Sequence, residues 1–214
     1  MIVRPPRQRI VWLVRHGETD WNAAGRVQGH DDRASLTPRG EHQVHRVAAL
    51  LAGKDVERIY SSDLRRARQS AAVFAAATGA GVVTDRRLRE RGFGRLEGTP
   101  TASLDPAVTG IVEGRITDID CRPVGGESLG QLYRRCQSFV AGIRSLGCGR
   151  DLVVVAHGGS IRMLRAAWAG TGPERLAWTP VGNAAVLRLV EASSPQLDDD
   201  RWARRPTSAA GRPS

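Results

Sequence analysis

Val11–Asn22 reads VWLVRHGETDWN, and the way its apolar run ends points to the fold. Ile10–Val14 is apolar throughout, as expected of a strand covered on both faces in a parallel sheet. Such a strand normally gives way to turn formers, yet here Arg15 and His16 follow at once, and then Gly17. In open α/β sheets the ligand crevice lies just beyond the carboxyl ends of the strands. Arg15 and His16 therefore stand where such a fold does its chemistry.

Outward from this strand the chain alternates between strands and helices. LTPRGEHQVHRVAALLAG predicts a helix, with Thr37 as cap, Pro38 in the first turn, Glu41 nearby and Gly53 closing it. Arg58–Ser61 is a second strand, an Ala-rich helix runs from about Asp63 to Gly79, and GVVTD is a third strand. Between Arg89 and Gly126 glycine and proline punctuate the chain, with room for one short helix near Leu104–Val108. From Glu127 the residues Leu129, Leu132, Tyr133, Cys136, Phe139, Val140, Ile143 and Leu146 keep helical spacing. DLVVVAHGG is again strand-like and again ends in a histidine, His157. A helix in SIRMLRAAWAG and a strand over Ala184–Val190 follow. The pattern predicts a three-layer α/β/α sandwich with a mostly parallel central sheet. Residues 1–190 are expected to form a single domain with a lid or insertion over 99–126, and 191–214 a disordered basic tail.

Bulk properties narrow the function. The 214 residues can bury a substantial core, and 41% hydrophobic with 25% charged residues is ordinary for a globular protein. No stretch approaches a membrane span, and the N-terminus lacks the apolar length of a signal peptide, so a cytoplasmic location is expected. Cys121, Cys136 and Cys148 are odd in number and lack metal-ligand spacing; Cys136 falls on an apolar helix stripe as core filler. The net charge of +10 raises the question of nucleic acid. The positive charge is almost all arginine, Lys54 being the only lysine, and it is spread along the chain. Aromatics make up 5% and do not interleave with it as on a base-stacking surface, so neither nucleic acid nor membrane is an expected partner.

Two histidines at corresponding strand ends, each followed by glycine (RHG and AHGG), outweigh the bland reading that a lone strand-end histidine deserves. The glycines leave space for another backbone or a ligand. With the further blocks GRVQGHDDRASLTPRGEHQ, YSSDLRRARQSA, RLRERGFGRLEG and GGES, in this order from about Ile10 to Val190, the sequence resembles the histidine phosphatase superfamily, branch 1, the phosphoglycerate mutase-like type.

The resemblance implies roles. His16 matches the nucleophile that is phosphorylated during turnover, which neutral imidazole suits near pH 7. Arg15, Arg66 and His157 match the groups around the transferred phosphoryl, where cationic donors are required. Arg66, rather than Arg65 or Arg68, is chosen by the family pattern of arginine followed by alanine. Glu90 matches the proton donor, with Glu18 and Glu97 assigned to loop structure. Asn22 and Gln28 match phosphate- or substrate-binding positions, and Gly158 offers a backbone N–H at a helix start. Arg26 reads as a loop buttress, and His30, His42 and His45 match no role.

With those donors no metal and no cofactor are expected. The partner is a small phosphorylated substrate, and a homodimer is what the family commonly forms. The interval between Gly98 and Ser128 is short, with Arg115 and Arg122 as its only cations. The mutases carry a longer, more basic insertion here, so the sequence favours a metal-independent phosphatase. A phosphoglycerate mutase-type phosphotransferase and a non-catalytic phospho-ligand binder are the alternatives.

Overall fold

The computed structural model describes residues 8–113, 118–147, 149–175 and 179–190. Five strands form one sheet: β1 (Ile10–Arg15), β2 (Val56–Ser61), β3 (Gly81–Thr84), β4 (Asp151–Ala156) and β5 (Val186–Val190). Their spatial order is β3-β2-β4-β1-β5, with β5 antiparallel to β1 and every other pairing parallel. The helices are α1 (Asp20–Ala23), α2 (Pro38–Leu51), α3 (Arg65–Thr78), α4 (Pro106–Glu113), α5 (Leu129–Arg144) and α6 (Gly158–Ala169).

Strand alternation divides the core into two layers. Leu152, Val154 and Ala156 of β4 pack with Val11 and Leu13 of β1 against α5 and α6. Val153 and Val155, with Val14, face α2 and α3, where Val44, Leu51, Ala71 and Phe74 meet them. Every residue of β4 is buried: the apolar run Leu152–Ala156, and Asp151 at its start, which accepts the Trp12 indole N–H. Burial of a single such side chain is worth about 1.5–3 kcal/mol, so β4 anchors both layers. The expected three-layer sandwich is the observed one.

The boundaries differ in instructive places. The helix expected near Leu104–Val108 begins at Pro106 and runs to Glu113, because the Asp105 carboxylate accepts the Ala107 N–H at 2.8 Å and caps it there. The one-turn α1 was not anticipated; Thr19 and Asn22 form a capping box that the sequence carries within only four residues. Helix α3 starts at Arg65, since Ser62 and Leu64 still belong to the turn leaving β2. Gly79 ends it in a left-handed conformation, φ 72°. Helix α2 stops at Leu51, ahead of Gly53. The tail 191–214, Arg115 and Cys148 lie outside the described residues. Cys136 sits fully buried in the α5 core, where burial pushes its thiol pKa up to about 12. No described helix is long and apolar enough to cross a membrane.

Candidate active site

The two histidines meet because their strands are neighbours. Arg15 lies opposite Ala156 in the β1–β4 pair, and the His16 N–H donates to the Ala156 carbonyl at 3.1 Å. The His16 and His157 rings pack edge to face, centroids 5.0 Å apart, with exposures of 2% and 1%. His16 Nδ1 lies 2.7 Å from the Gly17 carbonyl, which can only accept. Nδ1 therefore carries the proton, and the lone pair is on Nε2. Burial first, then the charges of Arg66 and Arg15, hold the His16 pKa well below its ordinary value, so the ring is neutral at neutral pH. Gly17 is required for close approach: a Cβ there would come within 2.5 Å of the Gly40 carbonyl of α2.

Two buried guanidiniums flank the ring. Arg66, in the first turn of α3, donates from Nε to His157 Nδ1 at 3.3 Å, from Nη1 to the Asp31 carbonyl at 2.9 Å and from Nη2 to the Gly29 carbonyl at 2.7 Å. Burial lowers its pKa to about 10, which still leaves it charged. Arg15 donates from Nη1 to the Val181 carbonyl, while its buried Nε has no partner among the described residues. Burial lowers the Arg15 pKa and the charge of Glu90 partly restores it. A buried cationic donor without an acceptor is costly, and an anion placed there removes that cost.

Glu90 completes the set. Its carboxylate accepts the Arg91 N–H at 2.8 Å and the Gly159 N–H at 3.0 Å. A Cβ on residue 159 would lie 2.4 Å from Glu90 Oε1, so the second glycine of AHGG makes room for this carboxylate. The Glu90 carbonyl accepts from His30 Nε2 at 2.8 Å and Arg135 Nη2 at 2.6 Å. Glu127 ties the same two residues together at 3.6 and 2.8 Å. Burial pushes the Glu127 pKa up, but hydrogen bonds from His30 and Arg135 outweigh it and leave the carboxyl far below its usual range.

A cavity of about 180 Å³ runs over these groups, lined by Arg15, His16, Arg66, Glu90, Asn22 and Gln28 among others. Asn22 Oδ1 accepts from Thr19 and from Asn183 Nδ2, which turns the Asn22 amide nitrogen free for another acceptor. Gln28 Oε1 is buried without a partner among the described residues. His157 lies behind the cavity wall, held to Arg66 and Ser62. Gly158 does not line the cavity; Gly159 does, with its N–H on Glu90. Among the described residues no three His, Cys, Asp or Glu side chains group as a metal site.

The competing residues are placed elsewhere. Glu18 accepts from Thr37 Oγ1 at 3.0 Å and braces the start of α2. Glu97 accepts the N–H groups of His30 and Phe93, both at 2.9 Å. Arg65, Arg68, His42 and His45 are exposed. Arg26 donates to the Gly98 carbonyl at 3.4 Å and also lines the cavity. Sequence reasoning passed over Arg91 and Arg162, which line it too. Arg91 donates to the carbonyls of Glu127, Ile111 and Cys121 at 2.7, 2.7 and 2.9 Å. Arg162 donates from both Nη atoms to the Glu113 carbonyl at 3.0 Å. The available signal for Arg162 was its position three residues after Gly159, on the same helical face. His30 was set aside although it supports the Glu90 carbonyl.

Comparison with known proteins places the chain in a family. The family profile of the histidine phosphatase superfamily (branch 1) matches residues 11–202. Phosphoglycerate mutase-like protein 4 of Arabidopsis thaliana is 39% identical over 197 residues, 89% of this chain and 80% of that protein. A probable phosphoglycerate mutase GpmB of Yersinia enterocolitica is 36% identical over 195 residues, 87% of either chain. Among solved structures, a mycobacterial glucosyl-3-phosphoglycerate phosphatase in complex with VO3 superimposes with a TM-score of 0.75 at 33% identity, covering 84% of this chain and 92% of its own. A putative alpha-ribazole-5'-P phosphatase of Escherichia coli K-12 gives 0.76 at 25% identity, covering 87% and 92%. The chain belongs to the histidine phosphatase superfamily, branch 1.

Proposed function

We propose that the protein is a metal-independent phosphomonoesterase that acts on a small phosphorylated metabolite through a phosphohistidine on His16. One observation carries the reading: a neutral imidazole whose lone pair is on Nε2 lines a cavity beside a buried Arg15 Nε–H that has no partner among the described residues. A phosphoryl group supplies both what Nε2 attacks and what Arg15 lacks. The solved relatives named as phosphatases, one of them with VO3 bound, favour the same reaction.

In the first step Nε2 attacks phosphorus as the ester P–O bond breaks, and Glu90 gives its proton to the departing oxygen. Arg15 and Arg66 carry the charge on the equatorial oxygens, the task that metal ions perform in other phosphoryl transfer enzymes. In the second step water attacks the phosphohistidine, its proton returns to Glu90, the P–N bond breaks and its electrons return to Nε2. Asn22 and Gln28 hold the polar body of the substrate.

A second reading, phosphotransfer between positions of a phosphoglycerate-like substrate, has Arg26 and Arg162 in its favour. Both line the cavity, Arg162 against the Glu113 carbonyl at the end of α4, and would hold a second anion. The lid itself contributes Thr101 and Val112 to the cavity, while Arg122 is exposed. The described residues of the lid bring no cation to the cavity, and without one a substrate is not held while it reorients, so water takes the phosphoryl group.

The test is a panel of phosphorylated sugars, phosphoglycerates and nucleoside phosphates, assayed in EDTA for phosphate release and for 2-/3-phosphoglycerate exchange. Phosphate release equal to dephosphorylated product, with only trace exchange, is expected. Exchange faster than release would establish the phosphotransferase, and activity that requires a divalent ion would remove the proposed site chemistry.

A further inference from the structure

Arg89 to Phe93 carries neither helix nor strand, yet Glu90 in its middle presents a carboxylate to the cavity. Irregular backbone keeps one place only when its polar groups have partners. Here those partners come from Arg135 on α5 and from Glu127 of the GGES block, and neither side chain lines the cavity. Arg135 donates from Nη1 to the Arg87 and Arg89 carbonyls at 2.8 and 2.6 Å, and from Nη2 to the Glu90 carbonyl at 2.6 Å. Its other N–H groups go to Glu127, Nε to Oε1 at 2.9 Å and Nη2 to Oε2 at 2.8 Å. All five donors of the guanidinium are thereby engaged.

Glu127 holds the chain on the far side of Glu90. Its Oε2 accepts the Gly92 N–H at 2.9 Å, and its own N–H donates to the Gly92 carbonyl at 2.8 Å. The Glu127 carbonyl accepts from Arg91 Nε at 2.7 Å. His30 Nε2 gives the Glu90 carbonyl a second donor at 2.8 Å. The two side chains of the ion pair are only 17% and 23% exposed, so their charge-assisted bonds are poorly screened. From this frame the Glu90 carboxylate reaches the Gly159 N–H at 3.0 Å.

We propose that Arg135 and Glu127 are positioning residues for the acid: their ion pair sets the backbone from Arg87 to Gly92 so that the Glu90 carboxylate stands at the leaving group. The inference rests on reading Glu90 as the proton donor. A lysine at 135 has three donors and no planar fork, so it cannot serve three carbonyls and a carboxylate together. Misplacing a reacting group by about 1 Å costs on the order of 10²-fold in rate. The loss falls on the step that needs the Glu90 proton and spares the grip of Arg15 and Arg66 on the phosphoryl group.

The experiment compares Arg135→Lys, Glu90→Gln and the double variant of the full chain by the rate of the first turnover, on an alkyl phosphate and on nitrophenyl phosphate. Arg135→Lys should slow the alkyl phosphate by about 10–100-fold, and nitrophenyl phosphate by at least about 5-fold less. Made in the Glu90→Gln background, the same substitution should cost less than about twofold on the alkyl phosphate, because the acid it positions is gone. Losses that multiply in the double variant, or that are equal on both substrates, overturn the positioning role and leave Glu90 its part. Glu90→Gln acting equally on both substrates overturns the reading of Glu90 and this inference with it. Glu127→Gln keeps the shape and an acceptor for the Gly92 N–H, so its folding is less at risk. It should repeat the substrate contrast at smaller size, and a folded Glu127→Gln without that contrast overturns the role of the pair.

Discussion

The floor of the cavity and the segment proposed as its lid are both held by arginines, but onto very different foundations. The floor stands on β1 and β4, and β4 is buried along its whole length. The lid helix α4 contributes no buried residue; Arg91 and Arg162 hold it through the carbonyls of Ile111, Cys121 and Glu113. The floor thus keeps reacting groups at fixed spacing, whereas the lid depends on a few hydrogen bonds and belongs to the less stable part of the fold. On the proposed function, chemistry falls to the well-packed part and substrate choice to the part held by fewer contacts.

The sharpest contrast should come from substitutions on either side of this divide. Glu90→Gln, at the floor, should lower kcat by about 10²–10⁴-fold for alkyl phosphates. Its effect on nitrophenyl phosphate should be much smaller, since that leaving group hardly needs a proton. Equal losses on both substrates, with no burst of product, would remove Glu90 from the first step. Arg91→Met, at the lid, leaves three carbonyls without their donor. Hydrogen exchange in α4 should rise, and kcat/KM for large phosphate esters should fall by about 10-fold or more with nitrophenyl phosphate little changed. Slow exchange retained in α4 would show that other contacts hold the lid.

A smaller effect separates floor from lid by pH. His16 and His157 are kept neutral in the folded, phosphate-free protein. The unfolded chain protonates both as pH falls below about 6.5, while the native state does not, so stability falls from there downward. Urea unfolding between pH 6.5 and 5.5 should lose up to about 1.4 kcal/mol per pH unit for each histidine. His16→Ala should make the slope shallower, and an unchanged slope would contradict neutral burial. The smallest effect is expected at the lid surface: Arg122→Ala should change kcat/KM by less than about twofold, because an exposed charge outside the cavity contributes little. A larger change would bring the lid cations back into substrate binding.

The same divide explains what the sequence made legible. The floor was readable because a parallel strand buried on both faces has one appearance, an unbroken apolar run, and Arg15, His16 and His157 interrupt it at its functional end. The glycines after the histidines had geometric reasons that sequence could suggest but not specify: Gly17 admits the backbone of α2, and Gly159 admits the Glu90 carboxylate. Arg91 and Arg162 were hidden because arginine dominates the charge of this chain, and a guanidinium buried on carbonyls looks in sequence like any solvated one. His30 was hidden for a related reason, since its partner is a backbone carbonyl rather than a recognisable side chain. Gly159 could not be singled out in AHGG, because its N–H meets a carboxylate, Glu90, that is 69 residues away in the chain.

The central claim is that His16 Nε2 becomes covalently bonded to phosphorus during turnover. Mixing the enzyme with a substrate found in the phosphate-release panel, quenching within milliseconds in alkaline denaturant and mapping the peptides by mass spectrometry tests it directly. The expected result is an acid-labile phosphate on the peptide that contains His16, absent from a folded His16→Ala variant whose kcat is lower by at least about 10⁴-fold. Phosphate on a serine or aspartate, or full turnover by His16→Ala, would contradict the account.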